Sequence, residues 1–249
     1  MIQPIDVFMV VHRNYNLADM QIEHWRNHLP GNFRLRIIDN TPAWEARAHL
    51  GPQEGVYSWT RHAPSGGFDG VSHGESLDLA MDMAETDIVG MVDTDFFWLN
   101  PNLYDMVLHY INDIEADCIG ASAFYKDWVN NIDAFYPDRL SSLAPACWGQ
   151  FMTRELAQKF SFVCTPEEGS QMLYTGWRLR QHLIEKQVPT IVFQGFFPYS
   201  NDDQTCAFGT PDKPQGLHFL KGSAARAHMA DYLLPTYIKE GIDKWQKKT

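Results

Sequence analysis

Cysteine is scarce in this 249-residue chain, and Cys118, Cys147, Cys164 and Cys206 lie far apart with no Cys-x-x-Cys pair, which excludes a zinc ribbon and a thioredoxin-like redox motif. Reduced, buried thiols are the expectation. Basic residues are in deficit too. Twenty Lys and Arg against 31 Asp and Glu leave a formal charge of −11, which repels a phosphodiester backbone and argues against a broad nucleic-acid interface, while leaving room for a local basic groove. No apolar run approaches the length of a membrane span. The opening MIQPIDVFMVV has neither a basic leader region nor a cleavage site, so a cytoplasmic location is expected rather than secretion. Internal repeats and low-complexity tracts are also missing. What is present, 45% hydrophobic and 20% charged residues, suffices for one large domain with a full core.

Apolar periodicity organises the first hundred residues. Ile5 to Val11 reads as a strand, and Leu17 to Leu29, with Leu17, Met20, Trp25 and Leu29 on one side, as a helix. A second strand, Phe33 to Ile38, is stopped by Asp39-Asn40-Thr41-Pro42, and a third is expected over Val56 to Thr60. The loop Pro64 to Gly70, which contains Asp69, is glycine-rich enough to lie against a ligand; Ser72 is expected to cap a helix through Ala84. The fourth strand is Ile88 to Val92. Strands alternating with helices imply an α/β fold with a mostly parallel sheet, and such sheets bind ligands at the carboxyl ends of their strands. Beyond Pro101 the reading is a helix over Leu103 to Ile114, a strand over Cys118 to Ala123 and an aromatic loop over Phe124 to Tyr136. Helices over Thr153 to Phe160 and Gln171 to Lys186, a strand over Thr190 to Phe193 and a last helix from near Ser223 complete it. Two halves of one domain, residues 1–100 and 101–249, fit better than two domains.

The fourth strand runs straight into Asp93-Thr94-Asp95. A strand sends alternate side chains to one face, so Asp93 and Asp95 point the same way at the end of a buried strand. Two such carboxylates repel each other and lose hydration, at a cost of roughly several kcal/mol unless a positive group compensates. A divalent cation does so, and hard oxygen ligands suit Mg²⁺ or Mn²⁺, ions that bridge one or two carboxylates to substrate phosphates. The duller alternative is an acid-rich turn that closes a strand.

Taken together, several segments resemble the nucleotide-sugar-dependent glycosyltransferases of the GT-A fold. They are Val10-Val11-His12-Arg13-Asn14-Tyr15, Ile37-Ile38-Asp39-Asn40, the helix His73-Gly74-Glu75-Ser76-Leu77-Asp78-Leu79-Ala80, and Asp87 through Asp95, in the order that fold requires. The resemblance implies a Rossmann-like, mostly parallel central sheet with a smaller acceptor-side half. It also implies an enzyme that moves a sugar from a UDP- or GDP-linked donor to a hydroxyl acceptor. Asp39 would contact the nucleoside, and Asp93 and Asp95 would hold Mn²⁺ or Mg²⁺ on the diphosphate. Val11, Arg13, Asp69, His73 and Thr94 would line the donor. Cys147-Trp148-Gly149-Gln150-Phe151-Met152-Thr153-Arg154-Glu155 looks like the family's strand-to-helix segment at the acceptor pocket, which nominates Trp148 and Gly149. Gly216-Leu217-His218-Phe219-Leu220-Lys221-Gly222 is similar to the C-terminal His motif, which gives His218 as a metal ligand and Lys221 as a phosphate contact. Imidazole suits Mn²⁺ better than Mg²⁺, and a lysine supplies a point charge. Singly, such a His or Lys is more often solvated surface.

The chain departs from that pattern at the general base. Tyr174 stands where related sequences often carry an acid, so Glu168, Glu167 and, in the loop Asp202-Asp203, Asp203 are the candidates for removing the acceptor proton. A helix N-terminus favouring negative charge explains the Glu pair equally well. Two rivals remain open: a haloacid dehalogenase-like phosphatase, whose Asp-x-Asp belongs on the first strand and is followed by a small residue where Phe97 stands here, and a non-catalytic nucleotide-sugar-binding module. The stretch Leu233 to Lys248, with Leu234, Ile238, Ile242 and Trp245 on one side, reads as a helix docked on the core, with a peripheral membrane helix as the alternative. Glycan, lipid, protein and hydroxymethylated DNA acceptors all fit these residues.

Overall fold

Ile5–Val11 forms β1, buried along its whole length. Val7, Met9 and Val11 face one apolar cluster and Phe8 and Val10 another, so both sides of the strand are buried and its sequence is apolar from Val7 onwards, with only Asp6 polar. The computed structural model describes residues 3–43, 45–46, 54–63, 69–122, 144–163, 175–193, 197–198, 205–219 and 227–247. After β1 come α1 (Tyr15–His28), β2 (Phe33–Asp39), β3 (Ser58–Arg61), α2 (Asp69–Met83), β4 (Ile88–Asp93), β5 (Phe96–Trp98) and α3 (Leu103–Leu108). The chain continues through β6 (Cys118–Ser122), β7 (Pro145–Thr153), α4 (Arg154–Ala157), α5 (Trp177–Glu185), β8 (Thr190–Phe193), β9 (Phe197–Pro198), β10 (Thr205–Gly209), β11 (Pro214–Phe219) and α6 (Ala227–Gln246).

Two sheets result. The larger has seven strands in the order β3-β2-β1-β4-β7-β6-β8, with every neighbouring pair parallel except those made by β7. The smaller, β5-β11-β10-β9, is antiparallel. β4 and β5 are joined by the two-residue turn Thr94-Asp95, so one short segment passes from the first sheet to the second. α1 and α3 cover one face of the large sheet, and α2, α4 and α5 the other. A third cluster joins the small sheet to α6 through Phe97, Leu99, Leu217, Phe219, Leu234, Ile238 and Ile242.

Several expectations need adjustment. α2 starts at Asp69, so Ser72 lies inside the helix, accepting at its carbonyl from Ser76 Oγ–H at 2.9 Å, and is not its cap. The helix expected over Leu103 to Ile114 is α-helical only to Leu108 and goes on as one π-helical turn, His109–Asp113. The helix after β7 is a single turn, which Thr153 caps by accepting from Leu156 N–H at 3.3 Å. The α6 face carrying Leu234, Ile238 and Ile242 is buried, and Trp245 Nε1–H donates to Pro214 O at 2.7 Å, so this helix docks on its own domain. Among the described residues no helix is long and apolar enough to cross a membrane.

α1 also sends polar side chains inward. His24 Nε2–H donates to Trp98 O at 2.6 Å, and burial, the main cause, holds the imidazole pKa down at about 4 against an ordinary 6.5; the hydrogen bond to Trp98 opposes this and His28 adds to it. The folded state thus favours neutral His24, so its contribution is complete above about pH 6.5 and is lost as the pH falls towards 4, by up to about 3 kcal/mol. Urea unfolding midpoints measured across that window should fall more steeply for the native chain than for His24→Gln, whose amide still donates.

Candidate active site

Asp93 closes β4 and Asp95 sits in the turn that follows, at the carboxyl edge of the parallel strands. Each acid meets an imidazole. His73 on α2 places Nε2 3.5 Å from Asp93 Oδ1, and His218 on β11 places Nε2 3.3 Å from Asp95 Oδ1. β11 reaches this position because it pairs with β5, opposing His218 to Phe96, while Phe219 N–H donates to Asp95 O at 2.8 Å. Two residues distant in sequence, 95 and 218, are therefore fixed together by strand pairing.

Burial pushes the Asp93 carboxyl above the ordinary carboxylate range; His73 opposes the shift, the neighbouring charge of Asp95 adds to it, and His218 opposes it. Such a carboxyl, beside a second acid, favours an added cation. Among the described residues the ion pairs of Asp93 and Asp95 are with histidines. Among the same residues no three His, Cys, Asp or Glu side chains converge as a ready metal cage. The donor set fits an ion held by one or two carboxylates and an imidazole, with water and phosphate oxygens completing the shell, as Mg²⁺ and Mn²⁺ are commonly held.

The remaining predicted residues fall into three groups. Asp39, at the end of β2, is fully buried and engaged by the protein: Tyr15 O–H donates to Oδ2 at 2.9 Å, Thr41 N–H to Oδ1 at 3.0 Å, and Arg61 Nη1 lies 3.6 Å from Oδ2. Val11 is buried beside it, paired in register. Arg13 has a left-handed backbone (φ 65°), a strained state for a non-glycine residue, held by its N–H donating to Thr41 Oγ1 at 2.8 Å; its side chain pairs with Glu45 at 2.6 Å. Asp69 opens α2, and Thr94 is buried in the acidic turn. Trp148, on β7, stacks on His218 with ring centroids 5.0 Å apart and planes at 29°, so an acceptor candidate and a metal candidate share one wall. Glu167, Glu168, Asp203 and Lys221 lie outside the described residues.

Gly149 has a packing reason. A Cβ there would stand 2.5 Å from Phe96 Cε1, in the ring that fills the space between the two sheets. Gly149→Ala should lower stability by about 1–3 kcal/mol, read as a reduced urea midpoint, because Phe96 is fully buried and has no room to retreat.

Sequence reasoning missed several contributors. Thr175 Oγ1 lies 3.5 Å from His73 Nδ1, His12 Nδ1–H donates to Asn40 Oδ1 at 3.0 Å, and Arg61 joins Asp39. Gln21 binds the backbone of the acidic turn, and the only sequence sign of it is a polar residue set between Leu17 and Trp25 on an apolar stripe.

The sequence matches no protein-family model and no curated protein. Solved structures do match in shape. A mannosyltransferase from Pyrobaculum calidifontis, in complex with GDP-Man and Mn²⁺, superposes with a TM-score of 0.53 at 11% identity, over 77% of this chain and 55% of its own. Glucosyl-3-phosphoglycerate synthase from Mycobacterium tuberculosis, in complex with Mn²⁺, UDP and phosphoglyceric acid, gives 0.53 at 14% identity, over 76% of this chain and 68% of its own. The fold is that of the GT-A glycosyltransferases. This chain spans about half the length of the mannosyltransferase, 55%. At these identities the likeness is one of architecture alone, and within it Asp93 and Asp95 stand at the carboxyl end of β4, beside β1.

Proposed function

We propose that this chain is a metal-dependent glycosyltransferase that moves a sugar from a UDP- or GDP-linked donor to a hydroxyl acceptor. One observation carries the reading: Asp93 and Asp95, at the carboxyl edge of the parallel sheet, each face an imidazole, from α2 and from β11. The GT-A fold, and the GDP-Man, UDP and Mn²⁺ held by its structural neighbours, support it.

Asp93, Asp95 and His218 would hold Mn²⁺ or Mg²⁺. When bound, the ion neutralises the negative charge that grows on the departing diphosphate as the glycosidic bond breaks. His73, set between Asp93 and Thr175, would line the donor side next to the metal corner. Arg13 and Asp69 belong to the donor side, with Val11 and Thr94 shaping its floor, and Lys221 adds a point charge for the diphosphate. Asp39 acts in this reading by fixing the Tyr15–Thr41–Arg61 wall. Trp148 offers a ring face to a sugar next to the metal corner. Glu168, Glu167 or Asp203 takes the acceptor proton. The acceptor class extends over glycans, lipids, proteins and hydroxymethylated DNA bases, and a cytoplasmic location goes with the same reading.

Thermal unfolding with UDP, GDP and the corresponding nucleosides, each with and without MnCl₂, tests this. Ligand at about 100 times its Kd stabilises the native state by about 2.7 kcal/mol, so a diphosphate should raise Tm by several degrees only when Mn²⁺ is present. Equal shifts with EDTA, or turnover of a simple phosphomonoester instead of sugar transfer, would overturn the assignment.

A further inference from the structure

Leu17, Gln21 and Trp25 follow one another at helical-turn spacing along α1, and all three are buried, so Gln21 sets a primary amide on an otherwise apolar stripe. A buried amide without partners is unfavourable, and this one is engaged at both ends. Its Nε2 donates to Asp93 O at 3.1 Å and to Phe96 O, while its Oε1 accepts from Trp25 Nε1–H at 3.1 Å. The two carbonyls bracket Thr94 and Asp95. From β11, Phe219 N–H donates to Asp95 O at 2.8 Å, and the residue before Phe219 is His218. The acidic turn is thus pinned twice, by a side chain of α1 and by the backbone of β11.

We infer that Gln21 is a positioning residue for the metal corner: by tying the carbonyls of residues 93 and 96 to one amide it fixes how the Asp93 and Asp95 carboxylates stand towards each other, and divalent-cation affinity depends on it although it lies outside the ligand set. The inference rests on the metal reading of these acids. Its physical basis is that a chelate of two carboxylates on a short turn binds well only while the turn keeps one geometry. Here the turn's own backbone supplies both acceptors, and Gln21 supplies both hydrogens. Groups that orient ligands in this way typically govern affinity by about 10–100-fold.

The test uses the full chain and MnCl₂, with the free-ion EPR signal followed alone and in the presence of UDP or GDP. Gln21→Leu should raise the Mn²⁺ Kd about 10–100-fold. Trp25→Phe, which removes the indole donor and leaves both turn carbonyls bound, should change it by less than about 3-fold even though it also lowers Tm. Should Gln21→Leu fail to fold, Gln21→Asn, whose amide is withdrawn by one methylene, carries the same expectation. A normal Mn²⁺ isotherm in the Gln21 variant, or equal weakening by Trp25→Phe, overturns the clamp alone. Absence of Mn²⁺ binding by the native chain overturns the metal reading and the clamp with it.

Discussion

Replacing Asp95 by alanine is expected to reduce sugar transfer by about 100- to 1000-fold in kcat, equivalent to about 2.7–4 kcal/mol of transition-state stabilisation, while the folded state is kept. The reasons for the two halves of that statement differ. In the proposed reaction, activity falls because the growing charge on the diphosphate loses the ion that Asp95 would help to hold. The fold survives because the structural role of residue 95 is played by its backbone: the carbonyl accepts from Phe219 N–H at 2.8 Å, and alanine retains it. The Asp95 side chain touches His218, and its charge is among the causes that push the Asp93 carboxyl up, so its removal relieves repulsion. Tm should therefore stay within about 0.5 kcal/mol equivalent of the native value, and the extra Tm rise produced by Mn²⁺ with UDP or GDP should vanish. Near-native transfer by Asp95→Ala, with natural donor and acceptor, would remove the metal from the mechanism.

How far this corner can be read from sequence depends on what fixes each residue. β4 is legible because burial on both faces makes it an unbroken apolar run, β1 and β2 because apolar residues dominate them despite Asp6, Arg34 and Arg36, and Asp93 with Asp95 is legible because the acids end such a run. The small sheet is not. Two of its strands, Phe197–Pro198 and Phe96–Trp98, are too short for a period of two to register, and the pairing of β5 with β11 joins segments more than a hundred residues apart. Hence His218 could be nominated only through resemblance, and its stacking on Trp148 not at all. Asp39 and Asp93 illustrate the same limit. Both close parallel strands, yet Asp39 is fully buried under Tyr15, Thr41 and Arg61, whereas the Asp93 side chain is 30% exposed. Strand position was readable; the donors that occupy one carboxylate and leave the other to an imidazole came from separate elements. Gln21 lies between these cases, since a polar residue on an apolar helical stripe announces a buried partner without naming it.

The largest loss of stability from a single change is expected at the other end of β1, where Asp6 and Arg36 are buried together. Asp6 Oδ1 accepts from Arg36 Nε–H at 2.9 Å, and Oδ2 from Glu85 N–H at 2.8 Å; Arg36 Nη2 in turn lies 2.8 Å from Glu85 Oε2. The guanidinium is closed in by Tyr57, whose ring centroid is 4.5 Å away. Asp6→Ala leaves that cation in a site only 4% exposed, with Glu85, itself 55% exposed, as its remaining counter-charge, and leaves the Glu85 N–H without its acceptor. Breaking one side of a buried pair costs about 3–5 kcal/mol, a large share of the roughly 5–15 kcal/mol that holds a domain together. The sign reverses in the double variant: Asp6→Leu with Arg36→Met removes both charges, and well-packed apolar replacements of a buried pair are commonly neutral or stabilising, so the double variant should be more stable than Asp6→Ala. Urea titrations of the two chains check this, and a double variant no better than the single one would show the pair to be worth more than its desolvation. β1 runs from Asp6 towards Val11 and the site edge, so this pair sits at the opposite end of the sheet. Metal-dependent transfer per folded molecule should accordingly survive in the double variant, which separates loss of fold from loss of chemistry in a way that Asp95→Ala, approached from the other edge, mirrors.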